Sequence, residues 1–99
     1  MKTENLTKLC KVEDCKNEKK IFKLNEKKYL LIKIKKHYYF IEAVCKHMGG
    51  PLEKGKLTEN TIECPWHGCK FDYQTGKSLN SSHTLDVKQV FINHGFIYV

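Results

Sequence analysis

Apolar and polar residues alternate with a period of two through most of this 99-residue chain, and no long run of helical spacing interrupts them. Leu6-Thr7-Lys8-Leu9-Cys10-Lys11-Val12 reads as a half-buried strand, since successive side chains on a strand point to opposite faces. Lys20-Ile21-Phe22-Lys23-Leu24 is a second short strand, and Asn25-Glu26-Lys27 is a turn. Tyr29 to Lys35 follows, with Ile32 and Ile34 facing inward and Lys33 and Lys35 outward. Lys36-His37 turns the chain into Tyr38-Tyr39-Phe40-Ile41-Glu42-Ala43-Val44, an aromatic and β-branched run suited to a strand. The rhythm then breaks. Five of the six glycines and both prolines lie within residues 49–76, where Leu57 to Glu63 reads as one short strand with Ile62 inward. After Phe71-Asp72-Tyr73 and a Thr75-Gly76 turn, strands are expected at Thr84–Val87, Gln89–Asn93 and Phe96–Val99, with His94-Gly95 as a hairpin turn. The pattern predicts an all-β chain of short antiparallel strands, with glycine-rich loops gathered at one end.

Length argues for one domain over residues 1–99. A chain of this size buries only ~60–70% of its unfolded surface, so a bound group would add to its stability. The N-terminus has no apolar leader, and no stretch approaches the ~18 apolar residues of a membrane span, so a cytoplasmic location is expected. The net charge of +7 is concentrated in residues 1–46, which hold thirteen Lys and six acidic residues; residues 47–99 hold five of each. A basic half could meet an acidic partner or an anionic surface. A solvated, Lys-rich strand exterior is the plainer explanation. Nucleic acid is disfavoured, because the Lys are spread over several strands and Arg, the bidentate reader of bases, is missing. Five cysteines are too few, and odd in number, for a secreted disulfide framework.

The chemistry lies where the alternation fails. Cys45-Lys46-His47 is followed after sixteen residues by Cys64-Pro65-Trp66-His67, and both segments run into glycine. Two thiolates and two imidazoles make four ligands for a transition metal. Structural zinc sites usually pair ligands of one kind in each short segment. Here each segment offers one sulfur and one nitrogen, as a [2Fe–2S] centre with two Cys on one iron and two His on the other requires. Zinc bound by the same four residues is the alternative.

The stretches Cys45-Lys46-His47-Met48-Gly49-Gly50-Pro51-Leu52 and Cys64-Pro65-Trp66-His67-Gly68-Cys69-Lys70-Phe71-Asp72, with Thr75-Gly76 after them, resemble the two cluster boxes of the Rieske iron–sulfur family. The resemblance is strongest over residues 45–76. It implies an antiparallel β-sandwich with a subdomain of two cluster-binding loops. It also implies a [2Fe–2S] cofactor, with Cys45 and Cys64 on the inner iron and His47 and His67 on the outer one. These four residues are the candidate metal and cofactor ligands, and no catalytic residue accompanies them. With neutral imidazoles the oxidised centre carries no net charge and reduction leaves a single negative charge. That raises the potential to roughly −150 to +300 mV, against about −400 mV with four thiolates.

Family members of the cytochrome bc type add a disulfide-forming cysteine to each box; Gly50 and Trp66 hold those positions here, which favours the ferredoxin branch. High-potential members place a Ser and a Tyr where this chain has Cys69 and Phe71, so a potential low in the Rieske range is expected. The implied function is a monomeric one-electron carrier, not itself an enzyme, working between a ferredoxin reductase and a terminal oxygenase or similar acceptor. The small subunit of a nitrite reductase-like complex is the second candidate, and a zinc-binding interaction module the third. Cys10, Cys15 and Cys69 read as packed structural thiols, and Trp66 as a cover for the cluster or as core. His37, His83 and His94 read as surface residues in turns. The loop Ser78-Leu79-Asn80-Ser81-Ser82-His83 lacks the proline common in related ferredoxins, and is expected to be loose.

Overall fold

The computed structural model describes residues 6–15, 19–45, 49–66 and 68–99. Among the described residues ten strands form in chain order: β1 (Lys8–Lys11), β2 (Lys19–Leu24), β3 (Lys27–Ile34), β4 (His37–Glu42), β5 (Lys56–Leu57), β6 (Thr61–Glu63), β7 (Lys70–Asp72), β8 (Val87–Lys88), β9 (Phe91–Asn93) and β10 (Phe96–Tyr98). Among the described residues the only helical elements are two 3-10 turns, Val12–Asp14 and Leu52–Lys54. Three antiparallel sheets result, with strand orders β1-β10-β9, β2-β3-β4-β8 and β5-β6-β7.

The turns form where the sequence lets the backbone go left-handed. Asn25 and Glu26 have φ of 52° and 65°, and His94 and Gly95 have 51° and 79°. Two consecutive positive φ values give the turn twist that joins antiparallel strands without splaying them. β2 pairs with β3 in unbroken register from Lys19↔Ile32 to Leu24↔Lys27, and β3 with β4 from Tyr29↔Glu42 to Ile34↔His37.

The four-stranded sheet is the middle layer, and this is where alternation alone misleads. Tyr29, Leu30, Leu31 and Ile32 are all buried, because β3 has a core on each side. Leu30 and Ile32, with Ile41 and Ala43, face a core shared with Cys45, Leu52, Ile62, Cys64, Phe71 and Leu85. Tyr29 and Leu31, with Phe40, face the other core, formed with Cys15 and Ile97. Ile32 and Ile34 point as expected; Leu31 is equally internal, on the opposite side. A strand covered on both faces reads as a continuous apolar run. The lysines fall mostly on exposed positions. Lys20 and Lys23 are exposed on β2, an outer strand of this sheet, where charge discourages pairing with another chain.

Several expected boundaries move. Residues 57–63 form two strands rather than one, β5 and β6, around a turn at Thr58–Asn60 held by Thr58 N donating to Thr61 O at 2.8 Å. Two hydroxyl side chains and an Asn supply turn chemistry that outweighs the apolar pattern. The strand expected at Thr84–Val87 is shifted to β8, and Thr84 makes only an isolated bridge to Lys77. The all-β, antiparallel class holds.

Candidate metal centre

Each candidate cysteine stands at the end of a short path out of a sheet. After β4 the chain is pinned by Ala43 N to Lys28 O at 2.9 Å and by Leu52 N to Ala43 O at 2.8 Å, and Val44 bridges to Pro51. Cys45 then opens a loop that closes on itself. Cys45 N donates to Gly50 O at 2.8 Å, and Gly49 N donates back to Cys45 O at 3.0 Å. The second loop, between β6 and β7, repeats this wiring. Cys64 N donates to Cys69 O at 2.7 Å, and Gly68 N to Cys64 O at 3.1 Å. Gly49 and Gly68, equivalent in the two loops, have φ of 74° and 69°, a conformation that favours glycine.

The two loops meet at Gly50. A Cβ on that residue would lie 2.4 Å from Cys64 Sγ, 3.7 Å from the Cys45 Cβ and 3.7 Å from the Trp66 Cβ. Only a residue without a side chain lets the loops close over the second cysteine. Cys45 and Cys64 are both completely buried, among Leu52, Ile62 and Phe71. Two buried thiols thus stand at the roots of matching loops, with backbone brought up against one of the sulfurs. His47 and His67 lie outside the described residues. Among the described residues no three or more His, Cys, Asp or Glu stand close enough to hold a metal, as expected when half the candidate set is not described.

Around the loops the remaining expectations divide. Cys69 is buried and packed, and Phe71 is buried in the same core. Trp66 is not core: it is 60% exposed, with the partly exposed Val44 on the neighbouring loop. A tryptophan following Cys-Pro in a turn has no strand to carry it inward. His37 and His94 are exposed and His83 is half-buried, with His37 opening β4 rather than lying in the turn before it.

The loop from Ser78 to His83 is tied down, contrary to expectation. Asn80 Oδ1 accepts from Lys70 N at 3.0 Å, and Asn80 Nδ2 donates to Gly68 O at 3.0 Å. Leu79 N donates to Lys70 O at 2.8 Å and Ser78 N to His83 O at 3.1 Å. One amide side chain thus replaces the stiffness a proline would give, and fastens this loop to the residue after His67. The sequence signal was a run of Ser and Asn, which marks a loop but does not name its partners.

A charged group braces the other side. The buried Glu42, two residues before the first loop's bridge at Val44, accepts from Asp86 N at 2.6 Å and lies 3.6 Å from Lys27 Nζ. Lys27 also donates to Asp86 at 2.7 Å. That hydrogen bond, with the nearby Glu42 charge, raises the Lys27 ammonium above its ordinary pKa, against a smaller opposing effect of desolvation. Burial raises the Tyr73 phenol, whose hydroxyl donates to Glu59 O and holds the turn between β5 and β6. Cys10 and Cys15 belong to the other core, with the middle sheet between it and the loops.

Residues 5–90 match the model of the Rieske [2Fe-2S] domain. The ferredoxin component of the naphthalene 1,2-dioxygenase/salicylate 5-hydroxylase systems of a Ralstonia species is 35% identical over 66 residues, covering 67% of this chain and 64% of that protein. Apoptosis-inducing factor 3 of Mus musculus is also 35% identical, over 86 residues, covering 81% of this chain and 14% of that protein. The chain thus spans less than two thirds of either relative. The solved structure of the ferredoxin of carbazole 1,9a-dioxygenase from Nocardioides aromaticivorans superposes with a TM-score of 0.85 over 94% of both chains at 20% identity, which speaks for the fold. Among the described residues no helix is long and apolar enough to cross a membrane. Two loops of one design, each rooted in a buried cysteine on an all-β frame, agree with the match over residues 5–90: the chain belongs to the Rieske [2Fe–2S] domain family.

Proposed function

We propose that this chain is a one-electron carrier, a single domain over residues 1–99. In this role Cys45 and Cys64 hold one iron of a [2Fe–2S] cluster and His47 and His67 the other. The observation that carries the proposal is the pair of identically wired loops, converging at Gly50 on two fully buried thiols. When bound, the cluster supplies reversible storage of one electron. The chain's own residues hold and shield it. Leu52, Ile62 and Phe71 keep water from the thiols, and Asn80 fixes the carbonyl of Gly68 beside His67. Trp66 and Val44 offer apolar surface beside the loops for a partner to cover.

That partner is a reductase on one side and an oxygenase or similar redox enzyme on the other, as the dioxygenase ferredoxin among the relatives suggests. The carrier works in the cytoplasm, performs no chemistry of its own and docks as a monomer. The test is direct. Anaerobically purified protein should contain iron and acid-labile sulfide in equal amounts and show red-brown visible absorption. Reduced protein should pass its electron to an oxygenase component in stopped-flow. Colourless protein carrying zinc sinks the proposal. A stable complex with a large enzyme on size exclusion would favour a fixed subunit over a free carrier.

A further inference from the structure

Cys10 and Cys15 take no part in the site described above. Cys10 lies in β1 just after its register against β10 slips, between Lys8 and Cys10. Cys15 follows the 3-10 turn Val12–Asp14, its amide donating to Val12 O at 3.1 Å, while Val12 N donates to Gly95 O at 2.9 Å. This anchored turn doubles the chain back and leaves the two sulfurs 2.9 Å apart. A disulfide bond is about 2.05 Å long, so a shift of under roughly 1 Å separates contact from covalent bond. Cys15 is buried against Tyr29, Leu31, Phe40 and Ile97, whereas Cys10 is half-buried and open to a small reagent.

We propose that Cys10 and Cys15 are a dithiol–disulfide pair, a modification site that closes when a small disulfide such as oxidised glutathione supplies the oxidising equivalents. In the first exchange the Cys10 sulfur bonds to one glutathione sulfur, the glutathione S–S bond breaks and one reduced glutathione leaves. In the second, the Cys15 sulfur attacks the Cys10 sulfur and displaces the other glutathione. Two protein S–H bonds are lost and two glutathione thiols form, so two electrons and two protons pass to the oxidant. The Cys10 thiol is pushed up to about 12, first by burial and then by its hydrogen bond to Cys15 and the charge there. Its thiolate is therefore scarce at neutral pH, and the first exchange speeds up as pH rises. The middle sheet stands between this pair and the core of Cys45 and Cys64, so the bridge forms without disturbing the two loops.

Trypsin makes the test clean, because Lys11 lies between the two cysteines and Lys8 and Lys16 flank them. The cluster-loaded full chain is incubated with oxidised glutathione at neutral and mildly alkaline pH, alkylated, and digested without reductant. Peptides 9–11 and 12–16 should emerge as one disulfide-linked species, forming faster at the higher pH, while visible absorption is retained. The second thiol acts at a high effective concentration, so the bridge should exceed the glutathione adduct at Cys10 by at least roughly tenfold. Cys10→Ser should abolish the linked species without lowering iron content. Alkylation of both peptides after prolonged oxidation, or a lasting glutathione adduct on Cys10 alone, overturns the proposal. So does a bridge that appears only once the absorption has bleached.

Discussion

Replacing Gly50 by Ala tests the convergence of the two loops with a single methyl group. The new Cβ would sit 2.4 Å from Cys64 Sγ, where non-bonded heavy atoms need about 3.5 Å. The sulfur must therefore yield by roughly 1 Å. Metal–ligand bonds tolerate about 0.2 Å, so that displacement is several times what ligation allows. The easy escape is rotation of Cys64 about its Cα–Cβ bond, which swings the thiol away from the new methyl group. Overpacking of this kind costs about 1–3 kcal/mol, so the chain should still fold while iron and sulfide fall to under about a tenth of wild type. Gly68→Ala is the control in the second loop. Its φ of 69° is left-handed, which that of Gly50 is not, but its Cβ would meet nothing within 4 Å. Its expected cost is the left-handed backbone alone, about 1–2 kcal/mol, with iron retained. The measurements are iron and sulfide per chain, visible circular dichroism and the urea midpoint. Full loading of Gly50→Ala, or loss confined to Gly68→Ala, would show that the loops do not meet on Cys64 as described.

Four further outcomes are expected. Asn80→Ala removes the bonds to Lys70 N and Gly68 O, and should lower stability by about 1–3 kcal/mol and speed iron release on chelator challenge; unchanged release kinetics would count against the tether. Gly76→Ala places a Cβ 2.1 Å from Leu85 O at a φ of 81°, and should cost more than about 2 kcal/mol in urea unfolding; a near-neutral result would contradict that geometry. Tyr73→Phe should cost about 1 kcal/mol through the lost bond to Glu59 O, and equal urea midpoints for the two proteins would argue that bond is absent. Lys27, Tyr38 and Tyr73 all hold their protons more tightly when folded: Lys27 through its bond to Asp86, the two tyrosines through burial. The folded chain therefore binds more protons than the unfolded chain once pH passes about 10, so their stabilisation is complete below that point and lost above it. A urea midpoint that does not fall between pH 8 and pH 11 would refute this assignment.

How much could be read in advance depends on how local the signal is. The family was legible because the two Cys–His boxes that resemble it each lie within a few residues. The hairpin at His94-Gly95 was legible because turn geometry is set by the residues in the turn. Leu31 was harder to place, because an apolar residue next to two others says only that it is buried, not on which side. That required knowing that the sheet is covered twice. The contact of Cys10 with Cys15 was hidden because a register slip and an anchored 3-10 turn bring the sulfurs together. Asn80 was hidden for a related reason: its partners, Gly68 and Lys70, lie 12 and 10 residues away, and nothing in the intervening sequence announces the meeting.

Because β4 is a partition wall between two interiors, neighbouring positions along it answer to different rooms. Phe40 belongs wholly to the chamber of Cys15, and Ile41 to that of Cys45 and Cys64. Truncating either should soften the protein by a similar amount, yet only the second opens space behind the thiols. Iron retention and thermal resistance, which usually fall together in small metalloproteins, should therefore part company between two substitutions one residue apart.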